Sequence, residues 1–143
     1  MIDIDSNDYY VWRAIHDYRP KVVIIEANFF FPPPQLMVID FHPMNYWDGS
    51  HYLGASPQSL YNLAKKKGYE LVHHMTWGPN LFFVDARYYD RFGIEDNSPE
   101  ALMGPKVREV AEQQKKEGFT PNLGKPYLIW DEIRIEKKLI LDR

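Results

Sequence analysis

Residues 2–28 read IDIDSNDYYVWRAIHDYRPKVVIIEAN, and the fold turns on how this stretch is divided. Ile2 to Asp5 is a short β run that ends in acids. Ser6, Asn7 and Asp8 supply an N-cap for a helix. Tyr9 to Tyr18 has helical spacing, with Val11, Trp12 and Ile15 on one face. Arg19-Pro20 breaks that helix, because the residue before proline is driven out of the α region. Val22 to Ile25 is an uninterrupted β-branched run, the pattern of a strand buried on both faces of a parallel sheet. The stretch therefore predicts a β-α-β unit with parallel strands and a right-handed crossover.

Beyond it the chain changes character. FFFPPPQ, residues 29–35, cannot remain regular, since three prolines hold it extended. The loop runs on to about Gly54, long enough to suggest a function beyond connection. It carries the densest polar-aromatic cluster of the chain, Asn45 to Tyr52. Ser56 as cap and Pro57 at the first position start a helix that Gly68 closes after Lys67. Tyr69 to His73 and Leu81 to Asp85 read as strands around a Gly-Pro turn, an antiparallel hairpin at a sheet edge. His73 and His74, adjacent on that edge strand, point to opposite faces by alternation and share no metal. Lys65, Lys66 and Lys67 read as a solvated helix end. One or two rings of Phe29, Phe30 and Phe31 belong to the core. After Tyr89 the pattern is turn-rich to about residue 104, and a polar helix follows from Pro105 to Glu117. Residues 127–141 fit neither strand nor helix decisively. The domain reading is an α/β unit over residues 1–89 and a helical and irregular extension over 90–143.

Composition narrows the classes. The 143 residues carry a net charge of −3, which argues against a nucleic-acid footprint, normally basic. There is no cysteine, so disulfides, thiolate metal sites and a cysteine nucleophile are excluded. No apolar run approaches the roughly 18 residues that a membrane helix needs. These features predict a soluble intracellular protein, cytoplasmic or organellar, a mitochondrial location included.

Four spaced segments resemble the C-terminal half of class I SAM-dependent methyltransferases, and among these the FkbM-like group. IDIDSNDYYVWRAI is similar to their I-D-I/V-D-G-N-D-Y-x-V/I-W segment, and RPKVVIIEAN to the strand that follows. WDGSHYLGAS resembles W-D-G-T-x-Y-x-G-A-S. KKKGYELV with GPNLFFV resembles the terminal hairpin. The likeness covers residues 2 to 85, with Ser6 standing where the family commonly has glycine. It implies a partial Rossmann-like sheet made of the equivalents of strands 4, 5, 7 and 6, with the final strand inserted antiparallel, plus an extra C-terminal segment. The strands that hold SAM in that family, with their glycine-rich loop, have no counterpart in these 143 residues.

Two groups of residues carry the chemistry this implies. Acids at neighbouring parallel strand ends face the edge where α/β proteins bind ligands. Asp5, Glu26 and Asn28 are candidate ligands for a hard cation such as Mg²⁺, and Asp5 and Asn7 are candidate SAM contacts if another half supplies the rest. The competing expectation is that Asp5 and Asp8 cap the helix and that Glu26 pairs with a cationic side chain. In the long loop, Asp48, His51 and Tyr52 are candidate catalytic residues, with His51 or Asp48 as general base toward a hydroxyl acceptor. The alternative there is a loop packed by its own aromatics. Two functions follow. One is a methyltransferase-derived, non-catalytic subunit or interaction module, whose first strand edge is covered by a protein partner, a second copy or residues 118–143. The other is part of an active O-methyltransferase acting on a small hydroxylated substrate.

Overall fold

A computed structural model describes residues 1–75, 78–118 and the backbone of 127–128. The elements are α1 (Asp8–Ala14), β1 (Val22–Glu26), β2 (Val38–Ile39), α2 (Pro57–Lys67), β3 (Tyr69–His74), β4 (Asn80–Asp85), a 3₁₀ helix (Ala86–Phe92), α3 (Pro99–Lys116) and β5 (Tyr127–Leu128). The fold is mixed α/β around a small open sheet of order β1-β4-β3, antiparallel at both pairings. Ile2 adds a single parallel bridge to Ile25 on the free side of β1. Its amide donates to the Ile24 carbonyl at 2.8 Å, and its carbonyl accepts from the Glu26 amide at 3.1 Å. The spatial order is thus Ile2, β1, β4, β3, and β4 alone runs against the rest.

The expected first strand is therefore one residue deep. Asp5 has φ 55°, a left-handed conformation that breaks extension and that Asp tolerates better than most residues. The first helix is also shorter than its periodicity suggests. It stops at Ala14, and Ile15 is extended. The Lys67 ammonium donates to the carbonyls of Ile15 at 2.6 Å and Arg13 at 3.3 Å, satisfying carbonyls that a helix end leaves open. The inward face is Asp8, Tyr9 and Trp12, whereas Val11 is exposed. Lys67 is consequently part of the fold and not a freely solvated end. Lys65 pairs with Glu70 at 2.6 Å.

Helix α2 follows its sequence signals. Ser56 Oγ accepts from the Ser59 amide at 3.2 Å, Pro57 opens the helix, and Gly68 ends it at φ 75°. Trp12 of α1 and Leu60 and Leu63 of α2 belong to one buried apolar cluster with Val23, Ile25, Leu71, Leu81 and Phe83 of the sheet. Trp12 meets Phe83 at a ring separation of 5.0 Å. The alternate residues Val22, Ile24 and Phe82 stay at least partly exposed, so β1 is not buried on both faces.

The hairpin β3–β4 forms as its sequence indicates, with β3 at the edge. A register irregularity lies between Leu71 and His73. It disrupts strict alternation, and the His73 and His74 rings lie 5.9 Å apart, stacked at 29°, instead of pointing apart. Of the phenylalanine run, Phe31 is buried and Phe29 packs against the core. The long loop contains β2, which pairs antiparallel with β5. Helix α3 begins at Pro99, ahead of the expected Pro105, and is kinked at Gly104, φ 64° and ψ −177°. Met103 is buried in the common cluster, so the second segment packs on the core of the first. The expectation for 129–141 lies outside the described residues. No helix among those described is long and apolar enough to cross a membrane.

The end of the sheet at Val22 and Asp85 is cationic. Asp85, fully buried, accepts from Arg87 at 2.8 Å and from Arg19, and its side chain also takes the Arg87 amide at the start of the 3₁₀ helix. Lys21, Arg87 and Arg91 all lie within 6 Å of the Tyr88 ring centroid, a cation–π arrangement. Hydrogen bonds from Arg87, then from Arg19, hold the Asp85 carboxyl well below the usual carboxylate range. A depressed folded-state pKa contributes stability that is complete above the unfolded value near pH 4 and lost as pH falls through the folded one. Asp85→Asn is therefore expected to be less stable than wild type at pH 7. Urea denaturation followed by circular dichroism should show the difference closing below about pH 4.

Candidate functional site

Parallel pairing of Ile2 with Ile25 brings the segment after Ile2 beside the C-terminal end of β1. The β4 register sets Asn80 opposite Glu26. Three carboxylates converge there. One oxygen from each of Asp3, Asp5 and Glu26 lies within 4.8 Å of the other two. Asp3 and Asp5 are exposed and Glu26 is buried. The Asn80 carboxamide donates to Asp3 Oδ2 at 3.3 Å. Two buried atoms at this place have no hydrogen-bond partner among the described residues, Glu26 Oε2 and Asn80 Oδ1.

Asp8 shapes the turn that carries the acids. It is fully buried, and its two oxygens accept from the amides of Ile4 at 3.0 Å and Ser6 at 2.9 Å. The helix N-cap is Asn7, whose side chain makes no capping bond. Asp8 therefore serves the preceding loop and does not cap the helix. Asp5, turned outward at positive φ, does not cap it either. Burial, outweighing these hydrogen bonds, raises the Asp8 pKa above the usual carboxylate value.

Among the described residues, no cationic side chain pairs with Glu26. Burial and then the negative charges of Asp8, Asp5 and Asp3 push its pKa up to about 7, and only an amide hydrogen bond from Asp5 opposes this. Asn28 is engaged elsewhere. Its Nδ2 donates to the carbonyls of His51 and Leu53, each at 2.9 Å, and its Oδ1 accepts from the Phe30 amide at 3.1 Å. Asn28 is a clamp on the long loop. Asp3 stands with Asp5 and Glu26.

The loop covers this region through main-chain bonds. The Asn7 carboxamide donates to the His42 carbonyl at 2.9 Å, Ser6 Oγ to the Asn45 carbonyl at 3.3 Å, and the Gly54 amide to the Ser6 carbonyl at 3.1 Å. Asp48 Oδ1 accepts from the Ser50 amide at 3.0 Å, a local turn. The buried Tyr52 hydroxyl accepts from the Asp40 amide at 3.0 Å. The His51 ring packs on Phe30 at 3.7 Å, and its pKa is lowered by burial. Tyr10 donates to the Ile39 carbonyl at 2.8 Å. The contacts described for Asp48, His51 and Tyr52 shape the loop. Asn7 contributes one buried, unpartnered oxygen, Oδ1. A groove of about 270 Å³ is lined by Pro32, Pro33, Pro34, Gln35, Arg108, Ala111 and Glu112 and shares no residue with the carboxylates.

No protein-family model matches the chain, and neither a curated protein nor a solved structure matches it.

Two substitutions test this geometry. Asp8→Ala leaves the Ile4 and Ser6 amides unmet and is expected to cost about 3 kcal/mol, measured by chemical denaturation at pH 7. Glu26 has a raised folded-state pKa, so the folded chain keeps a proton that the unfolded chain loses between about pH 4.5 and 7. Its contribution to stability therefore falls as pH rises through that window. Glu26→Gln removes this dependence. The variant is expected to be roughly 2–3 kcal/mol more stable than wild type at pH 8 and to lose that advantage at pH 4, with urea midpoints at the two pH values as the readout.

Proposed function

We propose that this chain is a methyltransferase-derived α/β unit of the FkbM-like kind, acting as a non-catalytic subunit or interaction module of a larger assembly. The observation that carries this reading is the strand order. Ile2, β1, β4 and β3 follow one another across the sheet, with β4 alone reversed. This agrees with the order 4-5-7-6, strand 7 antiparallel, that the four-segment resemblance implies, and so supports the reading. In this reading the SAM-holding half comes from another chain or from sequence outside these 143 residues. The outer edge of residues 1–4 pairs with no strand among the described residues, and Val22, Ile24 and Phe82 leave one sheet face partly open. Both support a partner or a second copy at that edge.

A second reading, part of an active SAM-dependent O-methyltransferase, is favoured by one observation: the carboxylates and the covering loop share the C-terminal edge of the parallel strands. Titration calorimetry separates the two. The chain alone is expected to give no heat with SAM, and light scattering on a sizing column is expected to report a dimer or larger species. SAM binding by the chain alone would overturn the first reading. A monomer that neither self-associates nor captures SAM when mixed with a methyltransferase N-terminal half would overturn the second as well.

A further inference from the structure

We propose that Asp3, Asp5 and Glu26, joined by Asn80, form a binding site for a hard divalent cation of the Ca²⁺ class. Acidic clusters on surfaces are common, and this one differs in what lies under it. Glu26 is 6% exposed and keeps an oxygen without any hydrogen bond, and Asn80 is 7% exposed with the same defect at its own oxygen. A buried acceptor without a donor is unfavourable by about 1–3 kcal/mol, more when it is charged. Two such atoms at one place, beside two further carboxylates, are what a cation would satisfy together.

The arrangement also has an entrance and a floor. Asp3 and Asp5 lie exposed at the mouth, and Glu26 and Asn80 lie buried beneath. Among the described residues, no lysine or arginine forms an ion pair with any of the three acids. The Asn80 carboxamide already touches Asp3 through its nitrogen. A half-turn about its last bond exchanges nitrogen for oxygen and turns the unmet acceptor inward, so the group gains a neutral oxygen ligand without moving the backbone.

The donor set selects the ion. All four ligands are oxygens, with no imidazole or thiolate, which suits Ca²⁺ and Mg²⁺ over softer metals. One oxygen from each carboxylate lies within 4.8 Å of the other two, close enough to share one cation, and an irregular set of carboxylates and an amide suits the flexible coordination of Ca²⁺ better than the strict octahedron of Mg²⁺. The site does not depend on the methyltransferase reading, since every ligand belongs to this chain.

The test is calorimetric titration of the full chain with CaCl₂ and, separately, MgCl₂, alongside thermal melts. Ca²⁺ is expected to bind one site with a Kd on the order of 10⁻⁴ to 10⁻³ M, raising the melting temperature by roughly 5 °C at about 10 mM, with Mg²⁺ weaker. Asp5→Asn suits the left-handed backbone and Glu26→Gln keeps the side-chain shape, so both fold. Each is expected to lose at least about tenfold in Ca²⁺ affinity, while Asp90→Asn, exposed in the 3₁₀ helix away from the group, binds as wild type. Saturable heat from neither cation would overturn the proposal, as would a wild-type response retained in both Asp5→Asn and Glu26→Gln. Equal or tighter Mg²⁺ binding would overturn the choice of ion.

Discussion

The local architecture depends on one buried carboxylate. Asp8 has no access to solvent, and its oxygens hold the amides of Ile4 and Ser6. A charge in that position is tolerable only because those donors are fixed around it. Closing the chain over Asp8 forces extension to stop after Ile2, pushes Asp5 into left-handed backbone and swings Asp3 and Asp5 to the end of β1. Ser6, held by the same turn, takes the Gly54 amide on its carbonyl and reaches the Asn45 carbonyl with its hydroxyl. Strand, acidic turn, helix start and covering loop thus share a single organising group.

That arrangement places like charges close together at a buried position. Asp8 is satisfied by amides, whereas Glu26 is not satisfied at one oxygen, and the two charges oppose each other. Repulsion of this kind is a common mark of positions kept for binding rather than for stability. The surrounding loop compensates with main-chain bonds. Asn28, Tyr52 and Tyr10 each secure loop backbone, which keeps the covering segment in place without drawing on the acids.

Where residues near in sequence decide an element, it was legible. Ser56, Pro57 and Gly68 bracket α2 because each satisfies a local backbone requirement, and the β3–β4 hairpin follows from two strand patterns around one turn. The β-α-β reading of residues 2–28 held in direction, but its apolar spacing misassigned Val11, since the inward face is led by Asp8, a polar residue that periodicity does not count. β2 was invisible because two residues of strand are fixed by partners distant in sequence, Ala55 and residues 127–128. The start of α3 was set too late, at Pro105, because Gly104 lets the chain kink and continue across it. In the site, Asp3, Asp5 and Glu26 could be read as strand-end acids. Asn80 could not, since its place opposite Glu26 is a matter of hairpin register. The hydrogen bonds of Asn28 to the His51 and Leu53 carbonyls were not legible, because nothing in the sequence reveals which carbonyls lie beside it.

The charges of the described residues are sorted along the strands. Among the described residues, Asp3, Asp5, Asp8 and Glu26 gather where β1 ends, while Arg19, Lys21, Arg87 and Arg91 lie where it begins, around the enclosed Asp85. The two ends of β1 therefore carry side chains of opposite sign. An approaching charged body experiences a torque before it makes contact, and that torque fades beyond about 8 Å at physiological salt. The acidic and cationic ends of β1 thus offer an approaching charge two different faces before any contact forms.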